Sequence, residues 1–134
     1  MLRRASIVVA LAGALLVGGA ASAASRPPAS LGADIAEWSV VPSVGSLRAG
    51  DVRITVRNLG EKTHELVVVR TRSFAQDLPL RGDRALARPL VPAVVLAPGA
   101  VRSFTVHLKR GSYLLVDNLP WHYWRGASAA FAVR

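Results

Sequence analysis

The 134-residue chain contains no cysteine. That absence excludes a disulfide framework, a zinc–thiolate or iron–sulfur site, a thiol nucleophile and a lipid-modified N-terminal cysteine. Acidic residues are few: 8 Asp and Glu stand against 17 Lys and Arg, for a formal charge of +9. They form no pair beyond Glu61 and Glu65, so two-carboxylate acid–base chemistry has no obvious home. Histidine occurs only at His64, His107 and His122, and any imidazole chemistry must draw on those three. There is no glycine-rich phosphate loop and no recognisable Ser-His-Asp spacing, which leaves hydrolysis without support and the chain read as non-enzymatic. Pro and Gly punctuate the sequence after residue 33 too often for a long helix.

Residues 1–23 read as an address. Arg3 and Arg4 precede an uncharged stretch from Ile7 to Ala20, and Ala21-Ser22-Ala23 fits a cleavage site. The stretch is shorter than the ~20 apolar residues that cross a bilayer, so the reading is a secretory signal peptide and not a transmembrane span. Its removal takes two arginines and brings the charge from +9 to +7. Export would place the mature chain in a periplasm, a cell envelope or the medium. Residues 24–33 are small, Pro-containing and aperiodic, and are expected to be a flexible leader. The folded domain is then 34–134.

The pattern of that domain is β throughout. Val52, Ile54 and Val56 alternate with Arg53 and Thr55, the period of a half-buried strand. Asn58-Leu59-Gly60 follows as a turn signal. His64–Arg70 is a β-branched run, Val101–Leu108 alternates again with Phe104, Val106 and Leu108 inward, and Tyr113–Val116 is apolar on both parities, as a central strand would be. Ala129–Val133 closes the chain as a strand. Ile35–Val41 is a further candidate, with Trp38 available for the core. About seven strands at regular spacing predict an all-β Greek-key sandwich, a single domain after the signal peptide. Residues 71–92 are irregular and read as a loop or short helix.

Parity turns His107 to solvent beside Ser103 and Thr105. His64 begins a strand directly after a turn, and His122 lies in an inter-strand loop, VDNLPWHYWRGAS. Two such histidines can meet at one pole of a sandwich, although hydrogen-bonded rim positions are the plain alternative.

The stretches AGDVRITVRNLGEKTHELVVVRT and LAPGAVRSFTVHLKRGSYLLVDNLPWHYWRGASAAFAV, with the earlier EWSVVP, together resemble the small secreted cupredoxins, blue-copper-type β-sandwich proteins. The likeness runs from about Asp34 to Val133. It implies copper ligands at the histidine before Glu-Leu, which is His64, and at the histidine before Tyr, which is His122. The cysteine position of that family is filled here by Asp117, the methionine position by Ala127, and the small residue before the second histidine by Trp121.

Loss of the thiolate removes the soft covalent bond and the charge-transfer colour of a blue-copper centre. His64, Asp117 and His122 form instead a two-imidazole, one-carboxylate set, which suits Cu(II) or Zn(II) better than Cu(I). The expectation is a degenerate copper site used for copper holding or delivery, or for impaired electron transfer. Zinc is the alternative metal, and a metal-free interaction module the alternative function. An oxidase activity at an open Cu(II) position is a weaker third. Arg70, Arg72, Arg81, Arg84 and Arg88 crowd the irregular segment, and Arg125 sits beside the site. That excess favours an acidic partner protein or an anionic envelope surface. Nucleic acid is not expected, because an exported protein would rarely meet it.

Overall fold

The computed structural model describes residues 25–72 and 78–134. The expected signal peptide, 1–23, lies outside the described residues. Strands run in the order β1 Ala29–Ala36, β2 Ser39–Pro42, β3 Ser46–Leu47, β4 Gly50–Asn58, β5 His64–Thr71, β6 Leu80–Arg81, β7 Arg84–Ala85, β8 Val94–Leu96, β9 Val101–Leu108, β10 Gly111–Asp117 and β11 Ser128–Val133. No helix occurs among the described residues. Seven of these strands have four or more residues, in keeping with the number expected from the pattern.

Two sheets form the sandwich, one ordered β2-β1-β4-β9 and the other β3-β11-β10-β5-β8. Most neighbours are antiparallel, but β1 runs parallel to β4 and β3 parallel to β11. The core between the sheets follows from the alternation. Val52, Ile54 and Val56 of β4, with Leu31, Ala33 and Ile35 of β1, meet Leu66, Val68, Tyr113, Leu115 and Phe131 from the other sheet. Each fully buried Val, Leu, Ile or Phe among them contributes about 1.5–3 kcal/mol of transfer free energy.

The doubly apolar strands also find a reason. Val67, Val69, Leu114 and Val116 face outward from the second sheet, where Ala85, Leu78, Ala87 and Tyr123 cover them. β10 is accordingly central, with β11 on one side and β5 on the other. Tyr113 stacks on Phe131 at 5.4 Å, and its hydroxyl donates to the Lys109 carbonyl at 2.5 Å.

Three expectations need correction. β1 begins at Ala29, inside the stretch expected to be a flexible leader. Leu31 and Ala33 are buried there, and the parallel pairing with β4 begins at Ala29–Val52. Small residues hid this strand's alternation. Ile35–Val41 is not one strand, because the chain turns at Glu37–Trp38 and returns as β2 antiparallel to β1. Trp38 sits in that turn at φ 61°, half-buried, and not in the core. Within 71–92, the described part is neither loop nor helix alone: β6 and β7 pair as a short hairpin, and Val69 bridges Pro89.

Candidate metal centre

Strand ends define one pole of the sandwich. β5 begins there with His64 and β10 ends there with Asp117, and the two strands are antiparallel neighbours, with Asp117 opposite Leu66. The 118–127 loop that joins β10 to β11 then carries His122 back over the same end. Its backbone closes on itself: the Asp117 amide donates to the Ala127 carbonyl at 2.9 Å, and the Ala127 amide to the His122 carbonyl at 3.1 Å. These bonds set Asp117 and His122 on one short, tied segment.

His64, Asp117 and His122 come together as expected. All three are buried, at 0%, 0% and 8% exposure. Their candidate ligand atoms lie within 4.8 Å of one another. Oδ2 of Asp117 is 2.5 Å from Nδ1 of His64 and 2.6 Å from Nδ1 of His122. Its other oxygen, Oδ1, accepts the Glu65 amide at 3.0 Å and, more weakly, the Leu119 amide at 3.4 Å. The carboxylate is thus fixed by backbone on one edge and faces two imidazoles on the other. The rings stand edge to face with centroids 5.3 Å apart.

Further side chains complete the pole. Trp38 meets His122 edge-on at 5.0 Å, and the Arg125 guanidinium lies 4.2 Å above the Trp38 ring, a cation–π contact. Trp121 and Trp124 are exposed, at 52% and 66%, and contact each other at 6.2 Å. Trp121 adopts φ 68°, a left-handed conformation that costs a non-glycine residue roughly 1–2 kcal/mol. The β6–β7 hairpin holds it there: the Trp121 amide donates to the Asp83 carbonyl at 2.7 Å. Asn118 exchanges bonds with both backbone groups of Ala85, at 2.8 and 3.2 Å, and Arg84 donates to the Asn118 carbonyl at 2.8 Å and to Glu65 at 3.3 Å. Glu65 therefore turns away from the centre, toward Arg84. His107 points outward to Asp51 at 2.8 Å and takes no part. Ala127, at the expected methionine position, is fully buried and offers no side-chain donor.

One residue of the pole has no signature in the sequence. Glu37, in the β1–β2 turn, accepts the Glu61 and Lys62 amides on Oε1, both at 2.8 Å. The same oxygen lies 3.6 Å from Nε2 of His64. Hydrogen bonds from its own backbone amide, and from those of Lys62 and Glu61, hold its carboxyl below the usual glutamate range, and His64 adds a favourable Coulombic contribution. Gly60 makes the approach feasible: a Cβ there would lie 2.5 Å from that oxygen. Asn58 shapes the same turn, bonding Lys62, Leu96 and Gly60 through its buried amide. The Asn-x-Gly signal marked the turn, but nothing in the spacing points to Glu37.

Two imidazole nitrogens and a carboxylate oxygen are a donor set for borderline divalent ions. Their spacing is tight. Ligand atoms about 2.0–2.1 Å from a tetrahedral ion stand about 3.3 Å apart, against 2.5 and 2.6 Å here. The donors fit such an ion in kind, and the rings and the carboxylate must part by about 0.7 Å to admit it.

No protein-family model and no curated protein matches the sequence. Solved structures do match. The chain is similar to reduced auracyanin from the photosynthetic bacterium Roseiflexus castenholzii, at 17% identity and a TM-score of 0.58 over 81% of this chain and 99% of that one. It is similar to rusticyanin from Thiobacillus ferrooxidans, at 17% identity and a TM-score of 0.59 over 82% and 79% of the two chains. Auracyanin B matches at 21% identity and a TM-score of 0.57 over 82% and 91%. Rusticyanin is described as a copper protein. The fold of this chain is the cupredoxin fold, as the sequence motifs led one to expect.

Proposed function

We propose that the protein is an exported metal-holding module, with His64, Asp117 and His122 as ligands and Cu(II) as the preferred ion. The convergence of both Nδ1 atoms on one buried carboxylate oxygen supports this reading most directly. Zn(II) suits the same donors. Copper is preferred because, for a given nitrogen and oxygen site, divalent affinity rises to Cu(II) and falls again at Zn(II). When bound, the ion would supply a Lewis-acidic or weakly redox-active centre. Without a sulfur ligand, Cu(I) is poorly matched, so the role is copper holding or delivery and not rapid electron transfer.

The chain's own residues do the rest. Backbone donors to Oδ1 hold Asp117 in place, the tied 118–127 loop fixes His122, and the hairpin clamps the loop from outside. Burial of His64 and Asp117 keeps water from competing for the donors. The exposed Trp121 and Trp124 beside Arg125, together with the excess of arginine, suit an acidic partner or an anionic envelope surface as the recipient side. No helix among the described residues is long and apolar enough to cross a membrane. Export is inferred from residues 1–23.

A second reading takes the same two contacts by their length. The 2.5 and 2.6 Å contacts are complete as a hydrogen-bonded His–Asp–His cluster, so the fold could serve as a metal-free interaction module. Titration with Cu(II) and Zn(II), followed by calorimetry and electron paramagnetic resonance, separates the two. The metal reading expects one-to-one binding that is lost in His64→Ala and in His122→Ala. No binding by the wild-type protein selects the metal-free module.

A further inference from the structure

Nε2 of His64 is fully buried and has no hydrogen-bond partner among the described residues. Such atoms are rare in native interiors, and each calls for an explanation. A carboxylate oxygen, Oε1 of Glu37, lies 3.6 Å away, just beyond hydrogen-bond reach. This carboxylate is not a wandering surface group. Two backbone amides grip the oxygen, and Gly60 supplies the space it needs.

We propose that Glu37 is the positioning residue of the metal centre: it accepts the Nε2–H of His64 and so leaves the Nδ1 lone pair facing the ion. The inference rests on the metal-holding reading and adds to it the residue that selects the ligating tautomer. The distances support it. For an ion to enter, Nδ1 of His64 must withdraw from Oδ2 of Asp117 from 2.5 Å to about 3.3 Å. The two ring nitrogens flank Cε1 and point in largely opposed directions, so withdrawal of Nδ1 from Asp117 carries Nε2 toward Glu37. A ring displacement of about 0.8 Å, most of it along that direction, shortens the 3.6 Å contact to about 3 Å, within hydrogen-bond reach. One movement of the ring therefore opens room for the ion and completes a carboxylate–imidazole–metal chain, the arrangement that orients histidine ligands elsewhere.

The experiment compares wild-type protein with Glu37→Gln. Glutamine keeps an oxygen for the Glu61 and Lys62 amides, so the turn stays anchored, but it removes the charge that holds the Nε2 proton. Zn(II) affinity is measured by competition with a chelator, and the His64 ring is followed by 15N NMR in the Zn(II)-loaded protein. The proposal expects a protonated Nε2 and metal-bound Nδ1 in the wild type. It also expects Zn(II) affinity to fall about 10-fold or more in the variant, within the 10–100-fold range usual for such partners, with a changed Nε2 resonance. Unchanged affinity and an unchanged resonance overturn the role of Glu37 and leave the metal centre standing. So does an affinity loss with the Nε2 signal unmoved, which marks a loop effect. A wild-type protein that binds neither Zn(II) nor Cu(II) overturns this inference and the metal reading together.

Discussion

His64 and His122, far apart in sequence, share a single oxygen atom, Oδ2 of Asp117, at 2.5 and 2.6 Å. The contact makes Asp117 the keystone of the pole. Asp117→Ala strips both buried rings and the Glu65 amide of their acceptor. With each orphaned buried group costing about 1–3 kcal/mol, the variant should lose about 3 kcal/mol or more of stability, measured by urea unfolding. A loss below about 1 kcal/mol would mean that water replaces the carboxylate and that the pole is open.

The sequence resemblance puts Asp117 at the position of a sulfur ligand. Asp117→Cys places a thiolate donor beside the same two imidazoles. With Cu(II) it should develop an intense visible absorption that the wild-type protein lacks. A colourless Asp117→Cys protein that nonetheless binds Cu(II) would show that the 118–127 loop does not hold the residue at bonding distance.

The acid limb of stability should report Glu37. Its carboxyl titrates below the ordinary value of 4.5 in the folded protein, chiefly through backbone hydrogen bonds. A lowered folded value means that the ionised form stabilises the fold. That contribution is complete above the unfolded value and is lost as pH falls through the folded one. Wild-type protein should therefore exceed Glu37→Gln in thermal midpoint at pH 6, and the difference should shrink steadily as pH falls below that ordinary value. A pH-independent difference would assign the effect to shape and not to charge.

Tyr113 separates the scaffold from the site. Tyr113→Phe removes the hydroxyl bond to Lys109 at the far end of β10, and should cost about 1 kcal/mol while leaving metal affinity unchanged. A change in Cu(II) affinity in this variant would mean that the two ends of β10 are coupled.

Much of the fold was legible because alternation is a strong signal where side chains are large. β9 begins and ends where its pattern does, and Val52, Ile54 and Val56 announced β4. The doubly apolar β10 declared itself central, and the histidines of the pole were visible because His64 opens a strand directly after a turn and His122 lies in the loop between two strands. β1 was missed because Ala29, Gly32 and Ala33 carry too little hydrophobicity to show a period, and because its partner β4 lies parallel and distant in sequence. The place of Trp38 is not legible, because a left-handed turn at a tryptophan has no local mark. Glu37 and the clamping hairpin act through backbone amides of other segments. Their partners are set by tertiary packing, which residue spacing does not encode.

X-ray absorption spectroscopy on the Zn(II)-loaded protein reads the ligands of the pole directly. A metal held by His64, Asp117 and His122 gives a first shell of nitrogen and oxygen near 2.0–2.1 Å, with multiple scattering from two imidazoles that drops to one in His64→Ala. A shell without imidazole scattering, or one unchanged by His64→Ala, would contradict the assignment of the pole as a metal centre.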